Sequence, residues 1–337
     1  MDKIVISGGK RLQGDVKVSG AKNAALPILC ATLLTDEPVT LLNVPAITDV
    51  EKLVRFFQEQ GSRINWDQPA GRMDIDHRGF DPRRLRGEMP AGMRSSVLLF
   101  APLLQRMRRL TFPSNAKGCS LGIRELDPHL EILEKLGATV SREDGLTLRL
   151  ARRFRGARHW PDYMSVTATE NFVMAAALAK GESVLINAAS EPHVQDLCQF
   201  LVALGARIDG IGSNALTIHG GATLGPATHA IGPDHIEVGS FIGLAAVTRG
   251  ELVIEDVEPE DLHPVLHGFE RLGVRIELDG RTLTVPDDQA LEIRRLVDVV
   301  PRAHVGLGGP VQVGEARMRR QRHELAQVLV GEHLAGE

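Results

Sequence analysis

The strongest constraint in this 337-residue sequence is a unit repeated four times, in which an amphipathic helical pattern ends in glycine and leads directly into a β-type segment. The glycines are Gly61, Gly137, Gly205 and Gly273, at intervals of 76, 68 and 68 residues. Because a chain often leaves a helix through left-handed backbone, which glycine adopts without steric cost, these positions predict four helix ends. The segments are 49–64, 128–140, 192–208 and 261–276.

Two further elements precede each glycine-terminated helix. Short β-type segments come immediately before it, at 38–44, 108–113, 182–188 and 251–257. More strongly apolar helical segments open the units, at 20–35, 90–105, 165–181 and 234–250. A helix that is apolar on nearly all sides is expected inside a domain. The sequence therefore predicts an α/β fold built from buried helix, strand, surface helix, strand and strand.

Small residues occupy the first turns of the buried helices, as at Gly20 and Ala21 in the first unit. Parallel buried helices would direct their amino-terminal N–H groups and positive dipole ends to one face, which suits a phosphate or diphosphate. Helices that simply pack well in parallel would give the same pattern, so both interpretations stay open.

Composition narrows the function classes. A net charge of -4 and an isoelectric point near 6.3 disfavour nucleic-acid binding. No apolar run approaches the roughly 20 residues that span a bilayer, and the amino terminus lacks the basic-then-apolar order of a secretory signal, so a cytoplasmic protein without membrane insertion is expected. Cys30, Cys119 and Cys198 lie far apart with no CxxC pair, which disfavours disulfides and a zinc site.

Two cations mark the starts of buried helices. Lys22, followed by Asn23, stands where a glycine-rich turn enters the first, and Arg94 stands at the start of the second. A buried charge needs a partner, and a bound carboxylate or phosphate would supply one. The alternatives are a solvated lysine at a helix end and a structural ion pair for Arg94.

A loop between the second strand and the second glycine-terminated helix carries further candidates. Cys119 lies between Gly118 and Ser120, near a lysine, where a thiolate would be favoured, although a loop cysteine is more often incidental. Cys30 and Cys198 fall inside apolar helical patterns and are interpreted as core residues. Arg124, Asp127 and His129 could line a polar pocket, and Asp127 could instead cap the helix that begins near Pro128.

These motifs resemble those of the UDP-N-acetylglucosamine 1-carboxyvinyltransferases, a family of enolpyruvyl transferases, over about residues 1–293. The carrying segments are SGAKNAALPIL at 19–29, AGMRSS at 91–96 and GCSLGIRELD at 118–127. The resemblance implies the inside-out α/β barrel of that family, with two domains of repeated βαβαββ units. It assigns 22–232 to a complete first domain, 1–21 with 233–293 to an incomplete second domain, and 294–337 to a divergent tail.

The resemblance also implies a reaction, in which the 3-hydroxyl of UDP-N-acetylglucosamine adds to phosphoenolpyruvate and phosphate is then eliminated, with no cofactor or metal. Cys119 would be the general acid, Lys22 and Asn23 would contact phosphoenolpyruvate, and Arg94 would bind nearby. The nucleotide sugar would be bound by two runs of residues: Arg124, Glu125, Leu126, Asp127, Pro128 and His129 in one, and Tyr163, Met164, Ser165 and Val166 in the other. This is the first committed step of peptidoglycan synthesis.

The sequence departs from the family pattern at two places. Tyr163 stands where the family often has a lysine, and beyond Ile293 the sequence follows neither the repeat nor the family, which suggests a chain truncated or altered there. The family's catalytic aspartate and several arginines would belong to the two units that are not found. A UDP-sugar-binding protein with little or no turnover is therefore an alternative. A second alternative is the sister activity on shikimate 3-phosphate, which Lys22-Asn23 and the loop cysteine disfavour. The fourth unit is also expected to expose apolar surface.

Overall fold

The computed structural model divides the chain into residues 1–293 and 294–337. It describes residues 5, 8–85, 94–112, 126–143, 145–289 and 291, all in the first part, with the side chains of Arg94 and Phe112 excluded.

The first described element is strand β1, after which the chain forms the first repeat, whose apolar helix continues into a 3-10 turn at Thr32–Leu34. The elements are β1 (Gln13–Lys17), α1 (Lys22–Ala31), β2 (Val39–Leu42), α2 (Thr48–Glu59), β3 (Arg63–Asp67) and β4 (Arg72–Asp76). Every residue of α1 from Ala24 to Ala31 is buried, which confirms the prediction of a core helix. In α2 the buried residues recur at helical spacing and face the core.

The second and third repeats follow the same order. A 3-10 helix at Arg94–Leu99 leads into α3, so residues 94–99 of the α-helix predicted at 90–105 form a tighter helix instead. The second repeat comprises α3 (Phe100–Met107), β5 (Arg109–Phe112), α4 (Asp127–Lys135), β6 (Thr139–Ser141) and β7 (Leu146–Arg149). The third comprises β8 (Arg158–His159), α5 (Val166–Ala177), β9 (Glu182–Ile186), α6 (Pro192–Ala203), β10 (Arg207–Asp209) and β11 (Ala215–His219).

The fourth repeat differs in how far its first helix is buried. It comprises β12 (Ala227–Ala230), α7 (His235–Thr248), β13 (Glu251–Glu255), α8 (Pro259–Arg271), β14 (Glu277–Asp279) and β15 (Thr282–Val285). Although α7 is apolar all round, Ile236, Leu244 and Val247 are 50%, 44% and 72% exposed. The expectation that α7 is wholly buried is therefore wrong, and the expectation that this unit exposes apolar surface is confirmed.

The glycine pattern is confirmed. Gly61, Gly137, Gly205 and Gly273 have φ angles of 103°, 101°, 110° and 77°, and each lies two residues or fewer beyond its helix. An L-residue at these positions would be strained, which explains why the repeat is so regular at this point.

Four sheets are formed by the described residues, in the strand orders β12-β2-β4-β3, β5-β7-β6, β10-β11-β9-β8 and β1-β13-β15-β14. In each, a strand lies next to an antiparallel hairpin strand, and three sheets add a parallel edge strand. Two of these edge strands are exchanged: β1 precedes α1 but pairs with β13, while β12 precedes α7 but pairs with β2. The chain therefore passes twice between the first and fourth repeats.

The two passages run side by side and are joined by backbone hydrogen bonds. Ala21 N–H donates to the Gly232 carbonyl at 2.8 Å, and Asp234 N–H donates to the Ser19 carbonyl at 2.9 Å. We call residues 18–22 and 231–235 the crossing. It lies between a large hydrophobic core, which contains the fully buried Phe57, Phe154, Phe172 and Phe200, and a small core around α7, α8 and β13. Each fully buried phenylalanine contributes about 1.5–3 kcal/mol of transfer free energy.

Candidate functional site

Lys22, which ends the first passage of the crossing, and Asn23 form the exposed start of α1. The Lys22 side chain is 51% exposed, and its Nζ lies 2.7 Å from Asp49 Oδ2 at the start of α2. Lys52 approaches the other oxygen of Asp49 at 4.0 Å. Asn23 is exposed, and its side chain makes no hydrogen bond to another described residue. Lys22 is thus not a buried charge without a partner; it is a half-exposed cation whose carboxylate partner an anionic ligand could replace.

Asp234 joins the amino-terminal ends of α1 and α7, which sequence reasoning did not anticipate. Its Oδ2 accepts from the Lys22 backbone N–H at 3.2 Å, and its Oδ1 accepts from the N–H groups of Ile236 and Glu237 at 2.9 and 3.2 Å. Glu237 in turn accepts from the Ser19 backbone N–H at 2.7 Å. An internal carboxylate therefore satisfies N–H groups at the meeting point of two helix dipoles, where the repeat pattern had left both an external anion and simple helix packing open. The spacing Asp-x-x-Glu at 234–237 is the sequence signal for such a cap.

Gly20 allows the crossing to pack against the loop after β2. A Cβ atom on Gly20 would lie 1.9 Å from the Asn43 carbonyl oxygen, so the close approach requires glycine. Asn43 itself has a φ of 55°, and its Nδ2 donates to the Ile231 carbonyl at 2.8 Å. The small residues before α1 thus serve a backbone contact that fixes where Lys22 begins its helix.

A cavity of about 340 Å³ lies beside the crossing and is lined by residues of α1, α6, α7 and α8. On its wall the rings of His193 and His235 stack with centroids 5.8 Å apart. Burial and the neighbouring His235 lower the pKa of His193, while burial raises the pKa of Asp261. Asp196 accepts from His229 Nε2 at 2.6 Å and from Gly232 N–H at 3.0 Å. The lining thus combines the engaged carboxylate of Asp196 with two stacked histidines whose buried Nδ1 atoms have no hydrogen-bond partner among the described residues.

The start of α4, with its N-cap, contains four of the predicted nucleotide-sugar residues. The helix begins at Asp127, with Leu126 as its N-cap and Pro128 in the first turn, so the interpretation of Asp127 as the cap is wrong. The Asp127 carboxylate instead forms an ion pair with Arg142 on the adjacent hairpin. His129 is 5% exposed and points inward. Asp127 adds negative charge to the first turn, where the helix dipole favours it.

The start of α5 contains the second predicted run. Tyr163 and Met164 are 53% and 52% exposed, Ser165 is the N-cap, and its hydroxyl accepts from the Ala168 N–H at 3.4 Å. Val166 begins the helix. The two exposed side chains are large enough to contact a planar or sugar ligand without displacing core residues.

A buried polar network joins the starts of α4 and α5 to the 3-10 helix that begins at Arg94. His129 lies 3.2 Å from Thr167 Oγ1 through Nε2 and 3.0 Å from Asn171 Nδ2 through Nδ1. The Asn171 Nδ2 also donates to the Val97 carbonyl at 3.0 Å. Three predicted segments are therefore brought together, whereas the hydrogen bonds and ion pairs of Lys22 lead to Asp49 and Asp234. Sequence reasoning missed Asn171 because it lies in the middle of a core helix.

The remaining predicted catalytic and substrate-binding groups lie outside the described residues: Cys119, Arg124, Glu125 and the Arg94 side chain. Cys30 and Cys198 are confirmed as core residues, and burial raises the pKa of both thiols, that of Cys198 to about 12. Neither can act as a thiolate near neutral pH. Within the described ranges there is no cluster of three or more metal-ligating side chains, and no helix there has the length and apolarity that crossing a membrane demands.

Residues 6–305 match the model of the EPSP synthase (3-phosphoshikimate 1-carboxyvinyltransferase) family. The solved enolpyruvyl transferase NikO from Streptomyces tendae shares the fold with a TM-score of 0.71 at 23% identity, covering 83% of this chain and 66% of that one. An EPSP synthase structure from Acinetobacter baumannii matches with a TM-score of 0.64 at 17% identity, covering 85% of this chain and 67% of that one. The chain belongs to the enolpyruvyl transferase family.

Curated relatives are closer in sequence. A protein of Bradyrhizobium diazoefficiens named UDP-N-acetylglucosamine 1-carboxyvinyltransferase is 48% identical over 290 residues, which are 86% of this chain and 67% of that protein. A protein of the same name from Treponema denticola is 42% identical over 294 residues, 87% of this chain and 68% of the relative. The chain thus spans about two thirds of the length of these relatives.

Proposed function

We propose that this chain is a UDP-N-acetylglucosamine 1-carboxyvinyltransferase, which transfers the enolpyruvyl group of phosphoenolpyruvate to the 3-hydroxyl of the nucleotide sugar. The observation that carries the proposal is the 48% identity over 290 residues to a relative of that name. The reaction would serve peptidoglycan synthesis in the cytoplasm. The proposed domains are 22–232 and 1–21 with 233–293, followed by the tail 294–337.

The proposed reaction has two steps. The sugar 3-hydroxyl loses its proton to solvent as its oxygen adds to C2 of phosphoenolpyruvate, while another proton is delivered to C3, for which Cys119 is the proposed general acid. The added proton or its equivalent is then lost from C3 as the C2–O bond to phosphate breaks, which restores the double bond and releases inorganic phosphate. No redox equivalent is consumed, so the two substrates account for every atom of the products.

The described part of the proposed site supports an anionic substrate at the start of α1. Lys22 has a half-exposed ammonium group whose partner, Asp49, lies on a neighbouring helix, and the exposed side chain of Asn23 follows it in the same turn. A phosphate or carboxylate that approached this end of α1 could take the place of Asp49 at Lys22. Because a fixed cation near a developing negative charge lowers the barrier, Lys22 is the described residue proposed to contribute most to the rate.

The test measures phosphate release from phosphoenolpyruvate with UDP-N-acetylglucosamine, and separately with shikimate 3-phosphate. Release that depends on the nucleotide sugar and is lost in Cys119→Ala is expected. Release that depends on shikimate 3-phosphate would favour the sister activity, and blank rates with nucleotide-sugar binding retained would favour a binding protein. Labelling of Cys119 by a phosphoenolpyruvate-mimicking epoxide such as fosfomycin would support the enzyme.

Lys52 provides a matched control for Lys22, because both lysines flank Asp49. Lys22→Met is expected to lower kcat by about 100-fold or more, which is the usual loss when one electrostatic contact to the reacting groups is removed. Lys52→Met is expected to stay within about twofold, because an exposed ion pair contributes little. Equal losses in the two variants would remove Lys22 from the proposed site.

A further inference from the structure

Asn171 is wholly buried in the second turn of α5, and its carboxamide has only one orientation that satisfies its surroundings. Its Oδ1 accepts from the Ala101 backbone N–H at 3.3 Å, and its Nδ2 donates to the Val97 carbonyl at 3.0 Å, with the Thr167 carbonyl at 3.4 Å. A flipped amide would place its oxygen against two carbonyl oxygens and its NH2 group against an N–H. The backbone around Asn171 therefore fixes which end of the side chain donates.

This orientation determines how the His129 ring is protonated. Asn171 Nδ2 lies 3.0 Å from His129 Nδ1, and because the amide nitrogen can only donate, Nδ1 must accept. A ring whose Nδ1 accepts carries its proton on Nε2, and that N–H points to Thr167 Oγ1 at 3.2 Å. His129 thus has both ring nitrogens engaged by the protein, and the ring is 5% exposed.

The same three side chains connect the segments that carry the predicted nucleotide-sugar residues. Val97 lies in the 3-10 helix that Arg94 opens, His129 in the first turn of α4 after Asp127, and Thr167 in the first turn of α5. Asn171 bonds directly to Val97 in the 3-10 helix and to His129 in α4. It is linked to Thr167 at the start of α5 in two ways, through the Thr167 backbone carbonyl and through the His129 ring. A change at Asn171 would therefore alter the spacing of all three segments at once.

We propose that Asn171 is a positioning residue for the nucleotide-sugar side of the site, which it organises by holding His129 as the Nε2–H tautomer. In this role His129 supports the ends of α4 and α5 and does not present a ring nitrogen to the ligand. The tautomer rests on the geometry alone, and its consequence for substrate binding rests on the proposed function.

The tautomer can be read directly by NMR of the full chain labelled with 15N-histidine, with the His129 signals assigned from a His129→Gln sample. Near pH 7 the expected spectrum shows His129 Nδ1 at the shift of an unprotonated nitrogen and Nε2 at that of a protonated one. In Asn171→Asp, where a carboxylate faces Nδ1, a proton on Nδ1 is expected. In Thr167→Val, which removes only the acceptor of the Nε2 proton, the wild-type tautomer is expected to remain.

A proton on Nδ1 of His129 in the wild-type protein would overturn the proposal without any variant being needed. An unchanged Nε2–H tautomer in folded Asn171→Asp would overturn it as well. So would a switch to Nδ1–H in Thr167→Val, because Thr167 and not Asn171 would then set the ring.

Steady-state kinetics supply the functional readout. Asn171→Asp is expected to raise the KM for UDP-N-acetylglucosamine about tenfold, with the KM for phosphoenolpyruvate within about twofold, because only binding on one side of the site is disturbed. A proportional fall in kcat with both KM values unchanged would indicate a general loss of folded protein and contradict a positioning role. If the wild-type chain shows no turnover, the proposed function fails, while the NMR measurement still decides the tautomer.

Discussion

We predict that His77 makes the folded protein less stable as the pH falls below about 6.5. Its ring is 2% exposed, receives a hydrogen bond from Ser62 Oγ at Nδ1 (2.7 Å), and contacts Thr32 Oγ1 through Nε2 (2.8 Å). Because the Thr32 hydroxyl donates to the Leu29 carbonyl at 2.6 Å, its oxygen accepts from His77. The ring is therefore held neutral, and burial, with the nearby Arg106, lowers the pKa of His77 to about 3.

The sign and size follow from proton linkage. Between pH 6.5 and 3 the unfolded chain binds a proton at His77 and the native protein does not, so stability is fully present above 6.5 and is lost as the pH falls. Each pH unit lowers the free energy of unfolding by about 1.4 kcal/mol once the unfolded histidine is fully protonated, which gives on the order of 5 kcal/mol over the whole interval. Between pH 6 and 5 the loss is about 1 kcal/mol.

The assay is urea denaturation at pH 6.0 and 5.0, for the wild-type chain and for His77→Gln. The variant starts from a lower stability because it loses the edge contacts with Phe57 and Phe80, but its free energy of unfolding should fall by about 1 kcal/mol less than that of the wild type over this interval. Because both proteins contain the other histidines, the difference between their changes in unfolding free energy from pH 6.0 to 5.0 isolates the contribution of His77. Equal slopes in the two proteins, or a His77 ring that titrates near 6.5 in the folded protein, would refute the reasoning.

Two further outcomes concern the crossing and the core. Gly20→Ala should lower the free energy of unfolding by about 2–4 kcal/mol, because its Cβ would overlap the Asn43 carbonyl. Gly268→Ala has open space on an exposed face of α8 and should raise that free energy by up to about 1 kcal/mol. Equal effects of the two substitutions in thermal denaturation would contradict this prediction. Burial, with Glu191 nearby, raises the pKa of Glu170 well above its usual value. The native state therefore keeps a proton that the unfolded chain loses above about pH 4.3, so stability falls as the pH rises. In denaturant titrations Glu170→Gln should lose less unfolding free energy than the wild type between pH 5 and 8, and an equal loss would contradict this prediction.

The helix ends could be predicted from sequence because their cause is local. At Gly137, for example, an amphipathic pattern, a glycine and a β-type segment follow one another within a few residues, and the left-handed backbone is confirmed. The helix start at Asp127 was misplaced by one residue, although the same local rules applied. Asp followed by Pro also fits an aspartate in the first turn, which is what the structure has.

Contacts between distant residues explain what the sequence could not give. Asp234 accepts from the Lys22 backbone N–H across 212 positions, and although the repeat predicts that the buried helices start at one face, nothing near Lys22 in sequence identifies Asp234 as the link between α1 and α7. Apolar exposure was predicted for the fourth unit as a whole, but that Val247 on α7 is exposed depends on what packs beside the helix and not on the helix's own pattern. Asn171 is hidden for the same reason, because its role depends on Val97 and His129.

The most direct measurement of the proposed reaction follows the bridging oxygen of phosphoenolpyruvate. When phosphoenolpyruvate labelled with 18O between C2 and phosphorus is incubated with the protein and UDP-N-acetylglucosamine, mass spectrometry should find the label in the released phosphate and an unlabelled enolpyruvyl group on the sugar, because the C2–O bond breaks. Label retained in pyruvate, with unlabelled phosphate and an unchanged nucleotide sugar, would show hydrolysis at phosphorus and contradict the transfer.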